Sequence, residues 1–140
     1  MKRPVVLSIQ GKQFYDDQEP ETIELVTEGT LEKRPDGWVI CYEESDLTGM
    51  AGVTTCFQVE EEQITLTRSG KLQSQMVFRL GVLHESLYQM EFGALMITVC
   101  ATRIRHTITE AGGTVDLTYG IDIEQSAGGV VEYHLDIRAK

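Results

Sequence analysis

Three arginines are the side chains of this sequence best suited to bind a charged ligand. Arg68, Arg103 and Arg105 each continue the two-residue spacing of the apolar residues that precede them. Residues two apart share a face of a β-strand, so a regular strand would turn all three toward its apolar side. A guanidinium on that side needs an anionic partner, because a buried unpaired charge is costly, and it can grip a carboxylate or phosphate through two parallel hydrogen bonds. This spacing predicts a binding role for the three arginines.

Each arginine also has an interpretation that needs no ligand. Apolar residues occupy odd positions from Leu95 to Ala101 and even positions from Ile104 to Ile108. A β-bulge produces such a change of phase within one strand, and a bulge here would turn Arg103 and Arg105 outward. Arg68 lies close to the end of its segment, where it would sit in water or pair with a glutamate. Both interpretations are open at the level of sequence.

The other reactive side chains form no catalytic or metal-binding motif. No histidine lies within five residues of another histidine or of a cysteine, whereas zinc sites typically contain short-range ligand pairs. The carboxylates fall in turns or on polar faces, so we expect solvation, not acid–base chemistry. We therefore expect no catalytic residue, no metal and no cofactor, and an enzyme ranks third among the functions considered. The cysteines share the phase opposite to the apolar face and are expected to pack outside the core: Cys41, Cys56 and Cys100.

Aromatic side chains lie on the apolar phase of most segments. Barrels of about eight strands enclose either packed side chains or one small ligand, so these aromatics either fill the core or line a cavity. Buried tyrosine hydroxyls require partners, which favours one wet end of the interior. The candidate ligand-binding residues are Arg68, Trp38, Tyr42, Phe78, Arg103, Arg105, Tyr119 and Tyr133.

The elements that must position these residues show a period of two nearly from end to end. Residues Val115 to Glu124 alternate strictly between apolar and polar types, which is typical of a strand with one buried face. The first segment is expected from Val5 to Tyr15, and Gly29 in the second predicts a bend or bulge. Residues 80–92 fit a loop from Gly81 to Ser86 followed by a strand better than a helix, because the helical match is short.

Short turns connect about nine or ten such segments. The turn signals include Pro35-Asp36-Gly37, a loop over 46–52, and glycine pairs at 112–113 and 128–129. Because every segment has only one apolar face, the sheet must fold onto itself. The sequence therefore predicts an all-β protein: a single up-and-down antiparallel β-barrel domain over residues 1–140.

Composition limits the class of partner. The 140 residues carry a net charge of −10, which argues against nucleic acid and against anionic membrane surfaces. No apolar run approaches the roughly 20 residues that a membrane helix needs, and no leader peptide is expected. Three widely spaced cysteines do not suggest a secreted disulfide framework, so a reduced cytoplasmic setting is expected.

Four stretches of the chain match a known pattern: Ile64–Gly70, Met76–Phe78, Phe92-Gly93 and Gly113–Tyr119. They resemble the YwiB-like family of bacterial proteins, and the resemblance extends over nearly the whole chain. It implies a calycin-like, lipocalin-related β-barrel and no activity, since none is established for the family. Lipocalins carry a Gly-x-Trp motif near the first strand, whereas Trp38 directly follows Gly37 on the third segment, so lipocalin ligand chemistry does not carry over.

Two functions follow from these patterns. The first is binding of a small apolar or amphipathic ligand, with an anionic head, inside the barrel. The alternative is a non-enzymatic interaction or structural barrel with a packed core, as a homodimer. The apolar residues on the polar phase that favour this alternative are Val26, Val39, Val77 and Met96.

Overall fold

The computed structural model describes residues 2–14, 19–45, 50–90, 93–124 and 126–140. The regular elements in these ranges are ten β-strands: β1 (Lys2–Phe14), β2 (Glu21–Arg34), β3 (Gly37–Glu43), β4 (Val53–Glu60), β5 (Ile64–Gly70), β6 (Ser74–Phe78), β7 (Leu83–Met90), β8 (Gly93–Thr109), β9 (Gly112–Ile123) and β10 (Ser126–Ala139). The predicted number of strands and the all-β class are confirmed.

All ten strands belong to one antiparallel sheet that curls into a nearly closed barrel. The order is β6-β5-β4-β3-β2-β1-β10-β9-β8-β7, so every pair of sheet neighbours is consecutive in the chain except β1 and β10. The two ends of the sheet, β6 and β7, approach each other. Gln73 and Gln89 exchange main-chain hydrogen bonds of 2.9 and 2.8 Å there, and the Gly81 amide donates to the Ala101 carbonyl at 3.0 Å. The up-and-down barrel is thereby confirmed, with a seam between β6 and β7.

Alternate residues of the strands fill the barrel with apolar side chains. Phe57 and Phe78 are among the largest side chains that are fully buried, and leucine, isoleucine and valine from the surrounding strands pack against them. A continuous apolar core of this kind provides most of the free energy that stabilises a domain. Because the middle of the barrel is filled, space for a ligand remains only toward its ends and its seam.

The predicted β-bulge in β8 is confirmed. The pairing of β8 with β9 shifts register between Ala101 and Arg103, so the inward phase changes where the apolar pattern changes. Ala101 is buried, whereas Arg103 and Arg105 are exposed on the outside of the barrel. The sequence alternative that turned both arginines outward is therefore correct.

Other local predictions need correction. Gly29 forms no bulge, because β2 keeps an unbroken register with β1 through this residue. A Cβ at Gly29 would lie 2.5 Å from the Cys41 carbonyl oxygen and 2.8 Å from Leu7 Cδ1, so close packing explains the glycine. The loop predicted from residue 81 to 86 is wrong beyond 82, since β7 begins at Leu83.

Several predicted strand and turn boundaries differ from those in the structure or fall on residues outside the described ranges. The turn expected around residues 126–129 is part of β10, whose register shifts between Ala127 and Gly129. The expected end of the first strand at Tyr15, most of the predicted loop over 46–52, and Phe92 lie outside the described residues.

Candidate functional site

Arg68 lies inside the barrel near one end of β5. Its cross-strand neighbours are Thr55 on β4 and Ser74 on β6, and its side chain shares their inward face. The residue is only 8% exposed. Its Nη2 donates a long hydrogen bond of 3.5 Å to the Tyr133 hydroxyl, while its Nε is buried and has no hydrogen-bond partner among the described residues. Of the predicted arginines, this is the one that the fold turns inward.

Inward-facing aromatic rings, on the phase that the sequence predicted, extend from Tyr133 at this end toward the middle of the barrel. The Tyr119 ring lies 4.5 Å from Phe78 and 6.3 Å from Tyr133, measured between centroids. Phe57 meets Tyr133 edge-on at 6.1 Å. These distances are typical of favourable aromatic pairs, so the rings form a packed wall and not a loose lining.

A buried carboxylate belongs to the same region. Glu44 is 7% exposed and accepts a 2.6 Å hydrogen bond from the Thr55 hydroxyl. It also hydrogen-bonds the Tyr42 side chain. Across the described ranges, no ion pair joins Glu44, or any other carboxylate, to Arg68. The expectation that Glu44 serves solvation in a turn is wrong, because a short carboxylate–hydroxyl bond replaces the water that it loses on burial.

Electrostatically, the site is a cation among neutral phenols. Burial raises the pKa of Tyr119 and of Tyr42 well above the usual range, and the Glu44 carboxylate raises that of Tyr42 further. Burial acts to lower the pKa of Arg68, and the net increase in its pKa comes from Tyr133 and other tyrosines, whose attraction to the guanidinium requires them to be ionised and is therefore absent at neutral pH. At pH 7 the guanidinium is charged, whereas the phenols of Tyr42 and Tyr119 are neutral.

A cavity of about 100 Å³ opens beside Arg68 at this end of the barrel. Its polar side contains Tyr42, Glu44, Arg68 and Tyr133, and its apolar side contains Ile9 and Leu25. An apolar cavity of roughly 150 Å³ is enough to hold benzene, so this space accommodates a head group with a few carbon atoms. The wet end predicted from the tyrosine hydroxyls corresponds to this cavity.

Three predicted binding residues lie elsewhere. Trp38 is half-buried at the opposite end of β3 from Tyr42, with the Lys33 ammonium 4.6 Å from the centre of its ring. It therefore covers the far end of the barrel. Arg103 and Arg105 lie on the outer surface because of the bulge, and neither lines the cavity beside Arg68. The structure brings together Arg68, Tyr42, Tyr119 and Tyr133 and separates these three from them. Phe78 packs on the Tyr119 ring but pairs with Ile64, at the other end of β5 from Arg68.

Sequence reasoning missed several polar residues of the site. Tyr88 packs against the core from β7, and the hydroxyls of Ser74 and Ser86 are buried without a hydrogen-bond partner among the described residues. Ser74 and Ser86 do lie on the inward phase of their segments, together with Met76 and Tyr88. The inward phase of these two residues can be seen in the sequence, but a serine on that phase does not by itself indicate a binding site.

The cysteines correct a second expectation. Cys41 and Cys56 are direct cross-strand partners on β3 and β4, and a disulfide joins them with Cα atoms 4.1 Å apart. Cys100 is the free cysteine. The prediction that the cysteines lie on the outward phase is correct. The prediction that they only pack against their neighbours is wrong for Cys41 and Cys56, because these two form a disulfide. A reduced setting was expected because the spacing of the cysteines suggested no disulfides. The Cys41–Cys56 disulfide takes away that reason.

None of the three histidines lines the cavity beside Arg68. His134 Nδ1 lies 2.6 Å from Asp116 Oδ1 on the outer face of β9 and β10, and His106 Nε2 lies 3.2 Å from the Glu61 carbonyl oxygen. His84 Nδ1 accepts a hydrogen bond of 3.4 Å from the Val77 amide. In the part of the chain that the structure describes, no three His, Cys, Asp or Glu side chains converge in a group suited to a metal ion. No helix in that part has the length and apolarity to cross a membrane.

Comparisons with known proteins place this barrel among relatives. Residues 7–137 match the domain of unknown function DUF1934. The chain is 27% identical over 121 residues to the uncharacterized beta-barrel protein YwiB of Bacillus subtilis (strain 168), covering 86% of this chain and 82% of that protein. The crystal structure of the ywiB protein from Bacillus subtilis superposes with a TM-score of 0.88 at 22% identity, over 99% of this chain and 93% of that one. This structural likeness supports the barrel fold.

Proposed function

The chain belongs to the DUF1934 family of YwiB-like β-barrel proteins, and from this premise we propose that it binds a small amphipathic molecule with an anionic head group. The head group contacts Arg68, and a short apolar part lies against Ile9 and Leu25 in the cavity at the barrel end. No chemical step is involved, so the protein acts as a binding protein. Fold alone does not imply function, so we infer the function from the residues and the geometry of the site.

The observation that carries the proposal is the uncompensated charge of Arg68. Its guanidinium is buried, and none of the ion pairs of the described residues includes it. The neighbouring phenols offer dipoles but no negative charge at pH 7. A buried cation without a counter-charge costs several kcal/mol, and an anionic ligand offsets that cost when it binds.

The cavity also limits the ligand. Glu21 and Glu44 each contribute a carboxylate to the cavity wall, against the two cations Lys12 and Arg68, so a ligand with several negative charges is disfavoured there. The polar side of the cavity holds hydroxyls that can donate hydrogen bonds to a head group. A monoanionic head with a short apolar tail fits these features better than a polyanion or a fully apolar molecule.

Native mass spectrometry of the purified protein tests this proposal. We expect a bound species of small mass that is retained under gentle ionisation and lost on denaturation. Arg68→Met should lose the species, because methionine preserves length and apolar packing but removes the charge. Arg103→Met is the matched control, since Arg103 is exposed on the outer surface, and it should retain the species. Equal occupancy in all three proteins would refute a role for Arg68.

A second candidate function, interaction with a second copy of the chain, is favoured by one surface. The four residues considered from sequence do not form one patch, since β1, β10 and β9 separate Val26 on β2 from Met96 on β8. Large apolar side chains are instead exposed on and beside β7: Leu80, Val82, Leu83, Leu87 and Met96. Leu87 and Met96 are direct cross-strand partners. Exposed apolar clusters commonly mark protein contacts, and β7 is an end strand of the sheet.

Sedimentation velocity across a wide concentration range tests this second function. A dimer that Leu83→Glu and Leu87→Glu convert to a monomer would support it. Val26→Glu is the control, because Val26 is more exposed than Leu87 but lies far from β7. A wild-type protein that stays monomeric at high concentration would contradict it.

A further inference from the structure

The seam between β6 and β7 contains a cleft of about 570 Å³ that is open to solvent. Arg68, Ser74 and Gln75 line it from one side, and His84 and Ser86 line it from the other. It is distinct from the cavity at the barrel end, but Arg68 reaches both spaces. The cleft is the place where the sheet comes closest to closing without a continuous ladder of hydrogen bonds.

Three buried polar atoms without a hydrogen-bond partner belong to residues that line this cleft: Arg68 Nε, Ser74 Oγ and Ser86 Oγ. Arg68 and Ser74 are each more than nine-tenths buried. Native proteins leave few buried polar groups unsatisfied, and each such group calls for an explanation. Three together on the two sides of one cleft indicate a bound group that is polar.

The chemistry of the three atoms indicates which group this is. Arg68 Nε–H donates only, and each serine hydroxyl can donate, so together they match a group rich in acceptors. The positive charge of the guanidinium selects a negative one. Glu85 also lines the cleft, but it lies on the exposed phase of β7, so its carboxylate is solvated. An oxyanion offers the negative charge and the acceptor atoms that these donors lack.

Access to these atoms requires the seam to part, because each of them is shielded from bulk water. Few hydrogen bonds join the two strands in the described residues, and Arg79 pairs with Val82 at the turn between them. Gln73 and Gln89 pair at one end of the seam, and the Val77 amide reaches the His84 ring at 3.4 Å. A sheet edge held by so few hydrogen bonds opens at low free-energy cost, as local openings elsewhere in proteins do.

We propose that the seam binds an oxyanion, carboxylate or phosphate, through Arg68 Nε and the hydroxyls of Ser74 and Ser86. The inference rests on the proposed function in that Arg68 is the cation in both, and it adds a second position, at the seam, where an oxyanion meets the same guanidinium. Because the donors come from β5, β6 and β7, the bound oxyanion links the two ends of the sheet and strengthens the closure of the barrel.

NMR titration of the ¹⁵N-labelled full chain tests the inference, with sodium acetate and sodium phosphate as probes and sodium chloride added to keep ionic strength constant. We expect saturable shifts of the Arg68 Nε–H signal and of the Ser74 and Ser86 amides with at least one probe. The double substitution S74A/S86A should weaken binding at least about tenfold, since it removes two hydrogen bonds to a charged group. S8A is the matched control because Ser8 lies on β1, away from the seam, and does not line the cleft, so it should bind like wild type.

The outcomes separate this inference from the proposed function. Tighter binding of phosphate or of acetate supports the inference in either case and identifies the head group. Absence of saturable shifts with both probes in wild type overturns it. Wild-type affinity in S74A/S86A also overturns it, and the proposed function then stands if Arg68→Met still loses its ligand in the mass spectrum. Retention of that ligand by Arg68→Met refutes the proposed function itself.

Discussion

Replacement of Arg68 by methionine should stabilise the ligand-free protein. Most substitutions of buried residues destabilise a protein, so a gain in stability would distinguish Arg68 from an ordinary core residue. It follows from the burial of the guanidinium and from the lack of an ion pair with any carboxylate in the described ranges. A residue kept at a cost to stability is typical of a binding site.

The magnitude follows from three contributions. Removal of an uncompensated buried charge gains about 3 kcal/mol, at the lower end of the cost of leaving such a charge unpaired. Loss of the 3.5 Å hydrogen bond to Tyr133 costs about 1 kcal/mol at most, because the bond is long. Imperfect packing of methionine in the same space costs about 1 kcal/mol. The net expectation is a gain of about 1 kcal/mol in the free energy of unfolding, or about 3 °C in Tm for a domain of this size.

Urea unfolding and thermal scans of ligand-free protein, refolded from denaturant to remove any bound molecule, measure this change. Arg103→Met should stay within about 0.5 kcal/mol of wild type, because Arg103 is exposed. A loss of more than about 1 kcal/mol in Arg68→Met would refute the reasoning, since it would mean that the folded protein itself compensates the guanidinium.

Three further predictions concern the barrel that holds the site. Gly29→Ala should lower the free energy of unfolding by about 2 kcal/mol in urea titrations, because the added Cβ would lie 2.5 Å from a backbone oxygen. Gly120→Ala is the control and should change the free energy of unfolding little, because the space around a Cβ at Gly120 is open. Reduction of the Cys41–Cys56 disulfide, which closes a loop of 15 residues, should cost up to about 3 kcal/mol, and unchanged stability in dithiothreitol would contradict this. Burial raises the pKa of Tyr119 above its unfolded value of 10, so the stabilising contribution is complete below pH 10 and falls as pH rises above it. Urea unfolding should show a loss of about 1.4 kcal/mol from this group between pH 9 and pH 11, most of it above pH 10, and Tyr119→Phe should remove that loss.

Much of the barrel could be predicted from local pattern because burial alternates along each strand. The change of phase between Ala101 and Ile104 predicted a bulge that the register of β8 confirms. The same pattern predicted the inward direction of Tyr119 and Tyr133. These features depend on one strand at a time, and a sequence records them directly.

Features that depend on two strands could not be predicted in this way. The disulfide requires Cys41 and Cys56 to be opposite each other, and the register of that hairpin depends on a loop without a tight-turn signal. Gly29 was interpreted as a bend, whereas its reason is the approach of Leu7 and of a neighbouring carbonyl. The start of β7 was missed because an end strand is half exposed and alternates weakly.

The candidate site was predicted in part for the same reason. Phase alone identified Arg68 and the tyrosines, but it also selected Trp38, which lies at the other end of its strand. The buried state of Glu44 and the unpartnered hydroxyls of Ser74 and Ser86 in the described structure depend on how the sheet curls and where its ends meet. No local pattern records that closure.

A high-resolution crystal structure of the protein as purified, with no ligand added and no oxyanion in the buffers, tests the central claim most directly. We expect electron density for a bound molecule with acceptor atoms within hydrogen-bond distance of the Arg68 guanidinium, in the cleft at the seam or in the cavity at the barrel end. Density for water alone around Arg68, or a carboxylate of the chain itself paired with the guanidinium, would contradict the claim.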